Sequence, residues 1–123
     1  PSPSPTRCFE IGAATARAFA KSPCRVALVA SSSWSHAFLT SKNYYLYPDI
    51  ESDQKLYKAL VEGNYEEWKQ RPLSAIEESG QQEMLNWFCL VGAMSELGRK
   101  VSESEWIESY VNNSPKCFAY FYP

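Results

Sequence analysis

His36 is the only histidine in this chain of 123 residues. It follows four serines and one tryptophan in the segment 31–36, directly after the apolar run Cys24–Ala30. A lone histidine cannot build a histidine-rich metal site, but near neutral pH it can act as a general acid or base. Open α/β sheets bind ligands at the carboxyl ends of their strands, where this pattern places His36. Two interpretations stay open, an acid/base residue and a loop histidine held by local hydrogen bonds, and position alone favours the second.

Glu83 lies one turn into the most apolar helix that the sequence predicts. A carboxylate enters such a helix when it is paired, bound to a metal or favoured by the positive helix N-terminus. Asn86 follows three residues later on the same face, where it could orient the carboxylate. On sequence alone, an exposed acid that complements the helix dipole is favoured over a metal ligand.

Other kinds of chemistry find less support. The serines beside His36 suggest a hydrolase, but no Gly-x-Ser-x-Gly turn and no glycine-rich phosphate loop is present. A net charge of −2 and a pI near 5.4 argue against nucleic acid. No apolar run approaches the roughly 20 residues that span a bilayer, so we expect a soluble protein.

The cysteines indicate the cellular compartment. They lack Cys-x-x-Cys spacing and stand in apolar runs, which favours buried free thiols in a reducing cytoplasm over a zinc site or disulfides. The four are Cys8, Cys24, Cys89 and Cys117.

Local patterns predict an α/β fold in which helices flank a mixed sheet. The valine-rich run is typical of a strand buried on both faces, and the pattern Ser79-Gly80-Gln81-Gln82 matches a capping box that starts the apolar helix. Near the C-terminus we favour a hairpin around Asn112–Pro115 over a helix capped at Ser102-x-x-Glu105. The predicted elements are a helix from Thr6 to about Lys21, a strand over Cys24–Ala30, a helix over Ile50–Glu62 between Asp49 and Gly63, a helical turn over Tyr65–Gln70, a helix from Gly80 to about Leu97, and strands over Trp106–Val111 and Lys116–Tyr122.

Four segments in order give the chain a resemblance to a known family. They are a Pro-rich start followed by Arg7-Cys8-Phe9-x-x-Gly12, an apolar run entering a small-residue turn that ends Ser35-His36, Pro48-Asp49 before a helix, and Glu83-Met84-Leu85-Asn86-Trp87 leading to Gly92-Ala93-Met94. Together they resemble the catalytic subunit of class III extradiol ring-cleavage dioxygenases, the family of protocatechuate 4,5-dioxygenase, and the resemblance covers nearly the whole chain.

The resemblance implies roles for the two candidate residues. Glu83 would be the carboxylate of a 2-His-1-carboxylate triad that holds non-haem Fe(II). His36 would be the acid/base residue beside a bound catechol and O₂, and both oxygen atoms would enter the ring next to its vicinal hydroxyls. The turn residues Ser33, Trp34 and Ser35, where relatives often carry glycines, would contact the substrate.

The chain also departs from the family pattern. The two histidine ligands of the family, and one further active-site histidine, lie in its N-terminal half, whereas this chain has only His36. We therefore expect residues 1–123 to form one unit, the C-terminal half of a catalytic domain, with residues 1–5 as a Pro/Ser linker. Its partners would be an N-terminal half that supplies the histidines, and a second copy or a small helical subunit. The alternative is a non-catalytic binding or assembly module derived from the same fold.

Overall fold

The computed structural model describes residues 2–123, in which the regular elements are helices and a single β-hairpin. The α/β class is confirmed, in a helix-rich form whose two strands pair antiparallel. The elements are α1 (Pro5–Ala20), α2 (Ile50–Glu62), α3 (Tyr65–Gln70), α4 (Leu73–Glu78), α5 (Leu85–Glu96), β1 (Glu103–Ile107) and β2 (Lys116–Tyr120), with short 3₁₀ turns over Ala37–Leu39 and Gln82–Met84.

Helix α1 packs along α5. Its cap is Ser4, two residues before the predicted Thr6, because Ser4 accepts the Arg7 N–H and Pro5 takes the first helical position. Phe9, Ala13 and Ala16 of this helix are buried, whereas Phe19 is half exposed. Gly12 lies against the Cys89 carbonyl of α5, so the two backbones approach closely.

Helix α2 has the predicted bounds. Asp49 accepts the Ser52 N–H at its start, and Gly63 adopts a left-handed φ of 72° at its end. Helix α3 is also confirmed. Helix α2 carries both of its end signals, Asp49 and Gly63, directly beside its own residues.

The predicted capping box at Ser79 is wrong. Residues 73–78 form α4, Ser79 ends that helix, and Gly80 turns the chain with a φ of 65°. The Ser79 hydroxyl donates to Ser52 Oγ of α2. The apolar helix therefore starts at Leu85, after the 3₁₀ turn, rather than at Gly80.

The predicted strand over Cys24–Ala30 is also wrong. This segment has no regular structure, and Val26, Leu28 and Val29 are exposed. A buried strand requires neighbours that pair with its N–H and C=O groups, and no other strand in residues 2–123 lies beside it.

The C-terminal hairpin is confirmed, with Trp106 opposite Cys117. Its first strand starts three residues earlier than predicted and ends at Ile107, and its second strand ends at Tyr120. The hairpin closes over the core, where four aromatic rings pack edge-on around the fully buried Trp34. These rings belong to Tyr57, Trp68, Trp87 and Trp106.

The cysteines are free thiols, as expected, but they are not all buried. Cys8 and Cys117 are buried, Cys89 is half-buried, and Cys24 is exposed because its segment is not a core strand. Burial, and secondarily the neighbouring Cys89, raise the pKa of Cys8 to about 11. Burial raises the pKa of Cys117 to about 12, so the buried thiols stay protonated near neutral pH. None of the helices in residues 2–123 is long and apolar enough to cross a membrane.

Candidate functional site

The fold brings His36 and Glu83 together from positions 47 residues apart. The His36 Nε2 atom lies 3.1 Å from Glu83 Oε2. The imidazole is 11% exposed and the carboxylate side chain 52% exposed. The pair therefore consists of a buried imidazole and a carboxylate that contacts it from the surface.

Backbone hydrogen bonds fix His36 from both sides. Its N–H donates to the Gly80 carbonyl over 2.9 Å, and the next N–H, of Ala37, donates to the Asn113 carbonyl over 3.0 Å. The ring contacts Phe38, with 4.8 Å between ring centroids. The Nδ1 atom is buried and has no hydrogen-bond partner among residues 2–123, so Nε2 is the ring nitrogen that points towards the surface.

Glu83 projects from the 3₁₀ turn over Gln82–Met84. The sequence-based position one turn into the helix is therefore wrong, because Glu83 precedes α5. Met84, fully buried, anchors the turn to the core. Asn86 does not orient the carboxylate, since its side chain donates to the Ser31 carbonyl over 3.4 Å.

The turn before His36 divides into three environments. Ser33 accepts a hydrogen bond of 2.6 Å from Lys116 Nζ at the start of β2. Trp34 is the centre of the aromatic core, and Ser35 is fully buried. The substrate contact predicted for Ser33, Trp34 and Ser35 stays a prediction.

A buried carboxylate that the sequence interpretation missed lies beneath this site. Asp53 of α2 is fully buried and accepts hydrogen bonds from Ser35 and Gln81. Burial raises the pKa of Asp53 to about 6, and this effect outweighs the hydrogen bonds, which lower the pKa. Its spacing was the available signal, because Asp53 stands three and seven residues before the core residues Leu56 and Leu60 on the same helix face.

Asp49, one turn earlier, is also buried. It accepts hydrogen bonds from Lys42 Nζ, over 2.6 Å, and from the Ser52 hydroxyl, over 2.8 Å. Burial alone would raise the pKa of Asp49, but these hydrogen bonds outweigh it and hold the pKa below its usual value. Asp49 and Asp53 thus have their oxygens occupied by donors of this chain.

The donor atoms near His36 suit part of a metal site but do not make up a complete one. Within residues 2–123 no three His, Cys, Asp or Glu side chains cluster as a complete set of metal ligands. Glu83, however, offers a half-exposed carboxylate, which suits one ligand of a metal whose other ligands come from elsewhere.

Comparison with known families agrees with the resemblance noted in the sequence. Residues 1–119 match the family described as the catalytic LigB subunit of aromatic ring-opening dioxygenase. The match covers nearly the whole chain, so the chain belongs to this family. No curated protein and no solved structure matches it. Membership defines an oxidoreductase class that opens aromatic rings with O₂ and is generally metal-dependent.

Proposed function

We propose that this chain supplies the carboxylate ligand and the acid/base histidine of an extradiol dioxygenase, which cleaves a catechol next to its vicinal hydroxyls and uses non-haem Fe(II). The 3.1 Å approach of His36 Nε2 to Glu83 Oε2, in a chain of this family, carries the proposal. A metal ligand and a proton-transfer group that act on one bound substrate have to lie near each other, as these two do.

Glu83 would hold the metal. Its carboxylate is half exposed and free to turn towards an incoming ion, whereas Asp49 and Asp53 are buried with their oxygens hydrogen-bonded. The chemistry that bound Fe(II) supplies is chelation of both catechol hydroxyls and transfer of electron density towards O₂. The two histidine ligands would come from residues outside this chain, in the N-terminal half of the enzyme.

His36 would move a proton at Nε2. Because Nδ1 is buried, only Nε2 can reach a substrate hydroxyl at the surface of the pair. With Glu83 turned to the metal, Nε2 would be released from Oε2, and in the tautomer that carries the ring proton on Nδ1 it would accept the hydroxyl proton and return it during ring cleavage. The exposed Phe38 ring, in contact with His36, provides an apolar wall for an aromatic substrate.

Two substitutions in the complete enzyme test these roles, because the expected failures differ in kind. Glu83→Ala removes a ligand and should abolish iron retention and turnover together. His36→Ala and His36→Phe should keep the iron and slow ring cleavage by roughly 10² to 10⁴-fold, the usual effect of a lost general acid/base. Iron content and anaerobic stopped-flow absorbance with a catechol separate the two, since the iron–catecholate band should form only in the His36 variants.

Glu77→Ala is the matched control, because Glu77 is an exposed glutamate of the neighbouring α4. It should leave iron content and turnover at the wild-type level. Loss of iron in His36→Ala, or wild-type cleavage by that variant, would contradict the acid/base role. Absence of ring cleavage by the wild-type enzyme loaded with Fe(II) would favour the binding or assembly module instead.

A further inference from the structure

Asp53 connects the two segments that carry the site residues. Its carboxylate accepts the Ser35 N–H, with 3.2 Å to each oxygen, and the Ser35 hydroxyl over 2.5 Å. On its other side it accepts the Gln81 amide N–H over 2.6 Å. Ser35 directly precedes His36, and Gln81 lies two residues before Glu83.

We propose that Asp53 is a positioning residue that sets the approach of His36 to Glu83 by holding Ser35 and Gln81 on one carboxylate. The catalytic consequence rests on the proposed function, whereas the geometric role does not. The Gly80 carbonyl adds a direct link between the segments, because it accepts the His36 N–H. The two segments are thus joined twice, once directly and once through α2.

A carboxylate is the side chain that this position requires. Ser35 presents two donors and Gln81 a third, and all three residues are fully buried. An ionised carboxylate only accepts, and its two oxygens can take all three donors at once. An asparagine would place an N–H group against one of these donors, which would leave buried polar atoms unpaired.

Gln81 is held in turn by a cation. Its side-chain oxygen accepts from Arg71 over 3.5 Å, so the amide cannot flip without facing its N–H₂ group towards the guanidinium. The direction of the hydrogen bond, from Gln81 to Asp53, is therefore fixed. This permits a test in which donor and acceptor are exchanged.

The test compares Asp53→Asn, Gln81→Glu and the double variant in the full protein. In the double variant the amide introduced at position 53 donates to the carboxylate introduced at position 81. The amide oxygen at position 53 still accepts from Ser35, and the carboxylate at position 81 still faces Arg71. We expect each single variant to lower kcat by about 10²-fold, the usual effect of a displacement near 1 Å, while the KM for a catechol changes by less than about threefold. The double variant should recover kcat to within about threefold of wild type.

Hydrogen exchange tests the geometry without reference to catalysis. We expect the His36 amide of each single variant to lose protection about tenfold more than the Val91 amide in the core of α5, because unpaired donors open the site locally. Equal losses at both amides would show that Asp53 only stabilises the fold. Unchanged protection of the His36 amide would also overturn the proposal. So would a double variant whose kcat is as low as that of the single variants. If the single variants do not fold, Ser35→Ala gives the same comparison. Its control is Ser79→Ala, which also deletes a buried hydroxyl but one that does not contact Asp53.

The two proposals can fail separately. If the wild-type enzyme cleaves no catechol, the proposed function fails, but the exchange comparison still decides whether Asp53 positions His36. If exchange at His36 does not respond to Asp53→Asn, the positioning role fails whether or not the enzyme is active.

Discussion

Gly80 is the residue on which the geometry of the His36–Glu83 pair depends most directly. Its φ of 65° turns the chain from α4 towards Glu83, and its carbonyl accepts the His36 N–H. A Cβ atom at this position would lie 2.6 Å from the His36 carbonyl oxygen. Only glycine combines this conformation with this contact at low cost.

We expect Gly80→Ala to destabilise the protein by about 3 kcal/mol, from the left-handed φ and the clash together, and to slow ring cleavage at least about tenfold. Gly98→Ala is the control, because Gly98 has a similar φ of 63° but nothing within 4 Å of its Cβ position. It should cost about 1 kcal/mol and leave turnover unchanged. Urea unfolding and steady-state kinetics measure both, and equal effects of the two substitutions would contradict the role of the contact.

The buried Asp53 makes stability depend on pH. Burial raises its folded-state pKa from 3.8 to about 6, so the folded state binds more protons than the unfolded state between these values. The stability that Asp53 contributes is therefore fully present below its pKa in the unfolded state, and it is lost as the pH rises through about 6. From about pH 4 to about pH 7, the free energy of unfolding of wild type relative to Asp53→Asn should fall by up to about 3 kcal/mol, at about 1.4 kcal/mol per pKa unit.

Chemical denaturation of both proteins at several pH values checks this expectation. Asp49 acts in the opposite sense, because its lowered pKa adds stability at higher pH. It is present in both proteins, so only its repulsion with Asp53 differs between them. A difference that stays flat or rises with pH would show that Asp53 does not titrate in this range.

The site residues differ in how far the sequence could predict them. His36 stood out as the only histidine, and the family resemblance singled out Glu83 in spite of the simpler dipole interpretation. The sequence did not predict Asp53, because its partners Ser35 and Gln81 lie 18 and 28 residues away. No local pattern specifies contacts at that range.

At the scale of elements, α1 and α5 form the tightest contact around the core. A Cβ at Gly12 would lie 1.8 Å from the Cys89 carbonyl oxygen, and one at Gly92 would lie 2.0 Å from the Phe9 carbonyl oxygen. These obstacles are backbone atoms, which cannot rotate away as a side chain can. The two glycines therefore set the distance between the helices.

Gly12→Ala should force α1 away from α5 and destabilise the protein by about 3 kcal/mol or more, in spite of the higher helix propensity of alanine. Ala14→Ser, at an exposed position of the same helix, should change the free energy of unfolding by less than about 0.5 kcal/mol. Thermal and urea unfolding of both variants measure the difference. Wild-type stability of Gly12→Ala would mean that the helices lie further apart than described.

The elements that the sequence predicted well are those with local end signals. Helix α2 has its cap and its terminal glycine beside its own residues, whereas α4 has no side-chain cap at its start, and the Ser79 that ends it matched the pattern of a helix start. The strand over Cys24–Ala30 failed for a different reason. Its composition is typical of a buried strand, but strand formation depends on a neighbour, which residues 2–123 do not provide.

For the whole molecule, the surface carries an apolar segment beside the site-bearing turn. Val26, Leu28 and Val29 are 51%, 42% and 81% exposed, and the segment leads directly into Ser31–His36. The apolar segment and the half-exposed Glu83 agree with the proposal that further residues complete the site. The metal affinity of the chain alone is the direct test of that proposal.

We expect the 123-residue chain alone to bind Fe(II) weakly, and the complete enzyme to hold about one iron per catalytic chain. The chain offers one carboxylate and one imidazole at the site, whereas the proposed triad needs two further imidazoles, and affinity depends on the number of ligands. Anaerobic titration with Fe(II), followed by metal analysis after gel filtration, compares the two forms. Glu83→Ala should remove the iron of the complete enzyme, because it deletes the one carboxylate of the proposed triad. Tight, stoichiometric iron on the 123 residues alone would mean that the ligands are other side chains of this chain, and that the assignment of Glu83 as one member of a shared triad is wrong.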